Sequence, residues 1–127
     1  MDILIESTKN FEKDLSKLSQ AEKETVINKI NDCTDIFLTN KSTVYHKLHR
    51  LNLPSLANGY ESSLYMLKVS QKLRVILTVD EDTIFGQIIF TLFRAIQHQD
   101  LNKAYKSVAE SLYQDFLHQD QEIVEVS

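Results

Sequence analysis

The sequence predicts an α+β domain: two N-terminal helices and one C-terminal helix packed on a small, mainly antiparallel sheet. Three observations predict it. Apolar residues recur at helical spacing before residue 40, alternate at strand spacing between residues 64 and 94, and return to helical spacing after residue 100.

Asp2 to Glu6, apolar at Ile3, Leu4 and Ile5, fits a buried first strand. Ser7 or Thr8 is placed to cap a helix whose apolar positions are Phe11, Leu15 and Leu18. Ser19-Gln-Ala-Glu22 has the form of a capping box and predicts a second helix. Its stripe of Val26, Ile27, Ile30, Cys33 (or Thr34) and Phe37 runs to near Asn40, so the two helices form a hairpin sharing one apolar face.

Val44 to Leu51 reads either as a strand or as a helical turn. Leu53 to Gly59 is read as a loop, because Pro54 and the Asn58-Gly59 pair both interrupt regular structure. Three strands follow: Leu64–Val69, Leu73–Val79 and Ile84–Arg94. In the second, Leu73, Val75, Leu77 and Val79 define a core face, and Arg74, Ile76 and Thr78 point the other way. Asp80 to Thr83 reads as an acidic turn, and Ile84 to Phe93 is apolar on both faces, as a central strand should be.

From Asp100, a helix carries Leu101, Ala104, Tyr105, Val108, Leu112, Tyr113 and Phe116 along one stripe, and docking on the same domain is the default expectation. One domain over residues 1–118 and an acidic C-terminal tail over 119–127 follow from this reading. At 127 residues, the chain is long enough to bury a core of its own.

A single cysteine, Cys33, excludes an internal disulfide and a multi-cysteine zinc site, and its place in a helical stripe makes it a buried apolar residue. The first residues lack a basic leader, and no apolar run approaches the roughly 20 residues that span a membrane. The expected location is the cytoplasm, and no membrane partner is expected. The net charge of −4 is unevenly spread. Residues 1–40 carry five Lys/Arg against eight Asp/Glu, residues 41–106 nine against five, and residues 107–127 none against five. A basic middle beside an acidic end fits either a polyanion-binding surface with a masking tail or an ordinary solvated helix end.

The cations concentrate on the strands. If Ser70-Gln71-Lys72 is a three-residue hairpin loop, Lys68 lies directly across from Arg74. Like charges in that position repel, so an anion between them is one reading; two solvated cations, or a register shifted by one residue, are the others. Arg94 ends the third strand, and His98 follows it.

Phe11-Glu-Lys-Asp-Leu15, then Leu67-Lys-Val69 with Leu73-Arg-Val-Ile-Leu77, then Leu92-Phe-Arg94, His98-Gln-Asp100 and Tyr105 resemble the RelE/ParE superfamily. These are toxins of bacterial type II toxin–antitoxin modules, and the resemblance covers most of residues 1–106. It implies a RelE-like fold and, in the RelE branch, a metal-independent ribonuclease that cuts mRNA on the ribosome and requires no cofactor. In that mechanism the ribose 2′-hydroxyl attacks the adjacent phosphate, with a lysine as base, an arginine opposing the phosphorane charge, and an arginine or histidine as acid.

Carried over by position, the resemblance makes Lys68, Arg74 and His98 the catalytic candidates and Arg94, Lys72 and Tyr105 the RNA-binding ones. Each has a bland counterpart: His98 as a structural histidine, Tyr105 as core, Arg94 as a surface or capping residue. Met66 stands where the family has its first catalytic lysine, and Gln97 and Gln99 stand where basic residues are common. No metal site is expected. The implied partners are a cognate antitoxin, mRNA and the ribosome, with a homodimer or a toxin–antitoxin hetero-oligomer as the assembly. The alternative function is a ParE-like gyrase inhibitor or a degenerate binding protein on the same scaffold. A third expectation is that the tail acids Glu110, Asp115, Asp120, Glu122 and Glu125 fold over the basic sheet.

Overall fold

A computed structural model of the chain describes residues 2–51 and 64–112; the Leu53–Gly59 loop, Tyr113, Phe116 and the 119–127 tail lie outside them. The order is β1 (Asp2–Ser7), α1 (Lys9–Ser16), α2 (Gln20–Phe37), α3 (Lys41–Lys47), β2 (Leu48–Arg50), β3 (Leu64–Lys68), β4 (Leu73–Asp82) and β5 (Gln87–Gln97). A 3₁₀ turn, His98–Asp100, then leads into α4 over residues 101–112. The chain adopts the α+β class expected of it.

Local chemistry sets the helix ends. Thr8 caps α1 by accepting from the Phe11 N–H at 3.2 Å. The capping box of α2 is present in both directions, Glu22 N–H to Ser19 Oγ at 3.2 Å and Ser19 N–H to Glu22 Oε1 at 3.1 Å. Residues 41–51 contain both of the structures left open from sequence: Asn40 caps α3 through the Thr43 N–H, and the chain extends into β2 immediately afterwards.

The sheet has the order β1-β5-β4-β3-β2, antiparallel throughout except for the parallel pair β1–β5. The expected buried first strand is corrected by this order. β1 is an edge strand, largely exposed, because β5 covers only one of its sides. The third predicted strand also shifts. Ile84 and Phe85 sit in the β4–β5 loop, where the Asp82 carboxylate accepts from both their N–H groups at 3.0 and 3.2 Å and Gly86 turns the chain at φ +65°. The acidic run expected to form a turn therefore ends β4 instead.

Opposite Ile76 and Leu77 stand Arg94 and Leu92, so Phe93 is an extra residue in β5. This bulge reverses the side-chain alternation. Ile88, Phe90 and Leu92 face one core before it and Ala95 faces that core after it, which turns Arg94 and Ile96 to the opposite side.

Two cores result. The first packs Phe11, Val26, Ile30, Cys33, Phe37 and Val44 from the helices against Val75, Leu77, Phe90 and Leu92 of the sheet. The second, on the opposite face, packs Ala104, Tyr105, Val108 and Ala109 of α4 against Leu64, Ile76 and Ile96. Burial raises the Cys33 thiol pKa, as a small core residue requires. No described helix is long and apolar enough to cross a membrane.

β1 stops opposite Leu92, whereas β5 continues to Gln97, leaving its outer edge without a strand partner among the described residues. Asp14 of α1 fills that gap. Its carboxylate accepts the Ala95 N–H at 2.9 Å and both Arg94 Nε and Nη2, at 2.7 and 3.1 Å. Removing it strands a buried N–H and a half-buried guanidinium. Asp14→Ala should lower unfolding free energy by about 3 kcal/mol, and Asp14→Asn, which retains an acceptor for Ala95, by less; urea denaturation followed by circular dichroism checks both.

Candidate nucleic-acid interface

Residues 70–72 form the predicted three-residue loop. Val69 N–H donates to the Leu73 carbonyl at 3.0 Å, and Leu73 N–H donates to Ser70 Oγ at 3.2 Å. Lys68 consequently lies directly across from Arg74. At the same end of the meander, the His98 N–H donates to the Lys72 carbonyl at 2.6 Å. Lys68, Lys72, Arg74 and His98 therefore converge around one hairpin turn, and none is bonded to a carboxylate among the described residues.

Their accessibility differs from the expectation. Lys68, Lys72 and His98 are exposed, but Arg74 is only 7% exposed. Its Nη1 donates to the carbonyls of Ser70, of Gln71 at 3.2 Å and of Leu73 at 3.0 Å, so it closes the turn rather than reaching into solvent. The expectation of an open cationic sheet face is corrected here. α4 lies over the strand face that carries Ile76 and Thr78, and its apolar stripe shuts out water. Two polar atoms remain buried without a partner among the described residues, Arg74 Nε and Tyr105 Oη.

Tyr105 is a core residue of that layer, as its place in the helix stripe allowed, and it is not presented to a ligand. Arg94 is likewise committed. The Asp14 carboxylate, by hydrogen bond and charge, raises its pKa further above the usual value. Arg94 also lines two clefts beside α4, of about 420 and 330 Å³. Thr8, Asn10, Phe93, Ser107, Val108, Ser111 and Leu112 complete the first; Asp100 and Lys103 flank the second.

One candidate was not visible from sequence. His49 of β2 lies across from Met66, exposed, beside the position where the resemblance has a lysine. Only the register of β2 reveals it, and residues 44–51 were ambiguous between helix and strand. At the opposite end of β4, Glu81 binds Lys41 at 3.1 Å and Tyr45 Oη at 3.0 Å. The Lys41 hydrogen bond lowers the Glu81 pKa, while burial and then the Glu81 contact raise that of Tyr45. Among the described residues, no group of three or more His, Cys, Asp or Glu side chains is placed to hold a metal ion.

Residues 55–126, more than half of the chain, match the family model described as PAS fold, and the chain belongs to that family. The described part of that stretch is β3, β4, β5 and α4; β1, β2 and the first three helices precede it. Among solved structures, the chain is similar to one from the toxin–antitoxin complex RelBE2 of Mycobacterium tuberculosis. That likeness has 11% identity and a TM-score of 0.47 over 77% of this chain and 100% of that one. It is also similar to YafQ of E. coli strain BL21(DE3) and to the H87Q mutant of YafQ. Each has 16% identity and a TM-score of 0.43, over 76% of this chain and 94% of the other. No curated protein matches.

The two cations of the Lys68–Arg74 pair should behave differently on truncation. Arg74→Ala removes the turn clamp and should lower unfolding free energy by about 1–3 kcal/mol. Lys68→Ala, at an exposed position facing a like charge, should leave stability within about 0.5 kcal/mol of wild type. Thermal and urea melts of the two variants side by side provide the measurement.

Proposed function

We propose that the chain is a RelE-like toxin: an endoribonuclease that cuts ribosome-associated mRNA without a metal and is neutralised by a cognate antitoxin protein. The observation that carries this reading is the uncompensated positive charge at the Ser70–Lys72 turn. Arg74 is buried with only turn carbonyls as hydrogen-bond acceptors, Lys68 lies across from it, and Lys72 and His98 adjoin. Burying a guanidinium without a carboxylate is costly. A bound phosphodiester supplies the missing counter-charge.

In this reading the 2′-hydroxyl oxygen forms a bond to phosphorus as the bond to the 5′-oxygen breaks, leaving a cyclic phosphate and a free 5′-hydroxyl. Lys68 takes the 2′-hydroxyl proton, His98 delivers one to the leaving oxygen, and Arg74, enclosed beneath the turn, opposes the charge on the phosphorane through its field rather than by contact. Lys72 holds the flanking backbone. Arg94 and Tyr105, expected as RNA contacts, have structural roles instead. The chain acts in the cytoplasm, where its substrate is.

Two observations favour a second reading, a non-nucleolytic ParE-like gyrase inhibitor or a degenerate binding protein. Met66 replaces a lysine of the implied catalytic set, and Arg74 is shielded by the fold.

Expression of the wild type should arrest growth and shorten ribosome-bound mRNA, and Lys68→Ala with His98→Ala should abolish both. Binding of an uncleavable 2′-deoxy oligonucleotide should weaken with salt, at a log–log slope of about −2 to −3 for three or four phosphate contacts. Intact mRNA together with inhibited gyrase supercoiling in vitro would select the second reading.

A further inference from the structure

Four of the seven large apolar side chains exposed among the described residues lie on the edge strand β1 and on the β4–β5 loop beside its start. Leu4 and Ile5 of β1 are 40% and 45% exposed, and Ile84 and Phe85 of the β4–β5 loop are 85% and 76% exposed. This edge is pre-formed: Asp82 fixes the loop, and the Asp2 N–H donates to the Gly86 carbonyl at 3.0 Å. The outer edge of β1 also has no strand partner among the described residues. An apolar edge strand with free N–H and C=O groups is a template for another strand.

We propose that this edge pairs with a second copy of the chain, β1 against β1 in antiparallel register, to form a two-fold dimer with a continuous sheet. The register follows from charge and apolar matching. A two-fold axis keeps each face of the sheet, so the register must centre on a residue. Centring on Leu4 would oppose Asp2 and Glu6. Centring on Ile5 sets Ile5 across from its own copy, Leu4 across from Glu6 and Ile3 across from Ser7, with no two like charges opposed. Such a contact is self-complementary and closes on itself.

The same register gives the loop a destination. In each copy the Ile84–Phe85 tip projects past the start of β1, and in antiparallel pairing that end lies beside the point where the other copy's β1 stops at Ser7. Just beyond Ser7 is the mouth of the 420 Å³ cleft, with Phe93, Val108 and the 38% exposed Leu112 among its lining. Charge matches as well. The tip is flanked by Asp2 and Asp82, both across from Gln87, whereas the cleft contains Arg94 with Lys9 next to Thr8 at its rim. Pairing the edges therefore brings an acid-flanked apolar tip to a basic-rimmed apolar cleft, twice.

Sedimentation equilibrium of the full chain between 5 and 200 µM tests the proposal on the protein alone, independently of any RNA activity. The expected result is a concentration-dependent dimer. Phe85→Asp and Ile5→Lys, both at exposed positions, should each raise the dimer dissociation constant roughly thirty-fold or more while melting as the wild type does. Under oxidising conditions, Ile5→Cys should give a covalent homodimer, and Leu4→Cys, which faces Glu6 of the other copy, much less. A monomer throughout, including one whose β1 amides are protected from exchange by the chain's own residues, overturns the proposal. So does a dimer indifferent to both substitutions, or a cross-link that forms as readily at Leu4→Cys as at Ile5→Cys.

Discussion

A single inserted residue determines how the molecule is divided. β5 is the only strand that pairs along both of its edges with β1 and β4, and the extra residue at Phe93 reverses which of its side chains face which core. Without it, the alternation that sends Phe90 and Leu92 into the helical core would send Arg94 there too. With it, Ala95 takes the place of the arginine in that core, and Ile96 joins the layer under α4. The bulge coincides with the end of β1, so a backbone N–H is also left without a strand partner. Asp14 resolves both consequences with one carboxylate, binding the Ala95 N–H and the displaced Arg94 guanidinium. The entry angle of α1, capped at Thr8 and tied to the Phe93 carbonyl through the Thr8 hydroxyl, places that carboxylate.

Covering the second face has a cost that explains the state of the candidate site. β4 is buried from Leu73 to Val79, because helices lie over one side of it and α4 over the other. Such a strand is expected to be apolar at every position, but this one contains Arg74. Its guanidinium is accommodated by folding back on the turn it follows, so Nη1 recovers three acceptors and Nε recovers none. Together with the unpartnered Tyr105 hydroxyl, the layer holds two buried polar atoms, each costing about 1–3 kcal/mol when unsatisfied. A chain selected for stability alone would place an apolar residue at position 74. Retaining the arginine is consistent with a demand for positive charge at this turn.

What the sequence disclosed and what it withheld divide along a physical line. Short-range chemistry was legible. The Ser19–Glu22 box, the Ser70–Lys72 loop, the odd-numbered core face of β4 and the apolar stripe of α4 all follow from residues within a few positions of one another. The misjudged features depend on distant partners. Ile3-Leu4-Ile5 is as apolar as an interior strand, and only the sheet order shows that nothing described flanks it. Asp14 gives no local sign that its partners lie some 80 residues later. Arg74 was correctly placed opposite Lys68, but its exposure depended on whether α4 covered that face, and an amphipathic stripe says that a helix docks without saying where. His49 was hidden for the same reason: its neighbour Met66 is set by the β2 register.

An acidic chain is at first sight a poor ligand for RNA, and the fold shows why net charge is the wrong quantity. The β3–β4 and β4–β5 turns lie at opposite ends of a ten-residue strand, roughly 33 Å apart at the usual rise. Lys68, Lys72, Arg74 and His98 gather at one end; Asp80, Glu81 and Asp82 lie at the other. The screening length at physiological salt is about 8 Å, so the two ends scarcely influence each other through solvent. A phosphodiester at the basic turn experiences the local cations and almost nothing of the acids. Asp82, with Asp2 beside it, instead flanks Ile84 and Phe85, where the two would repel a nucleic acid and favour a partner with basic groups around an apolar recess. The long central strand thus holds two surfaces of opposite charge apart within one small domain.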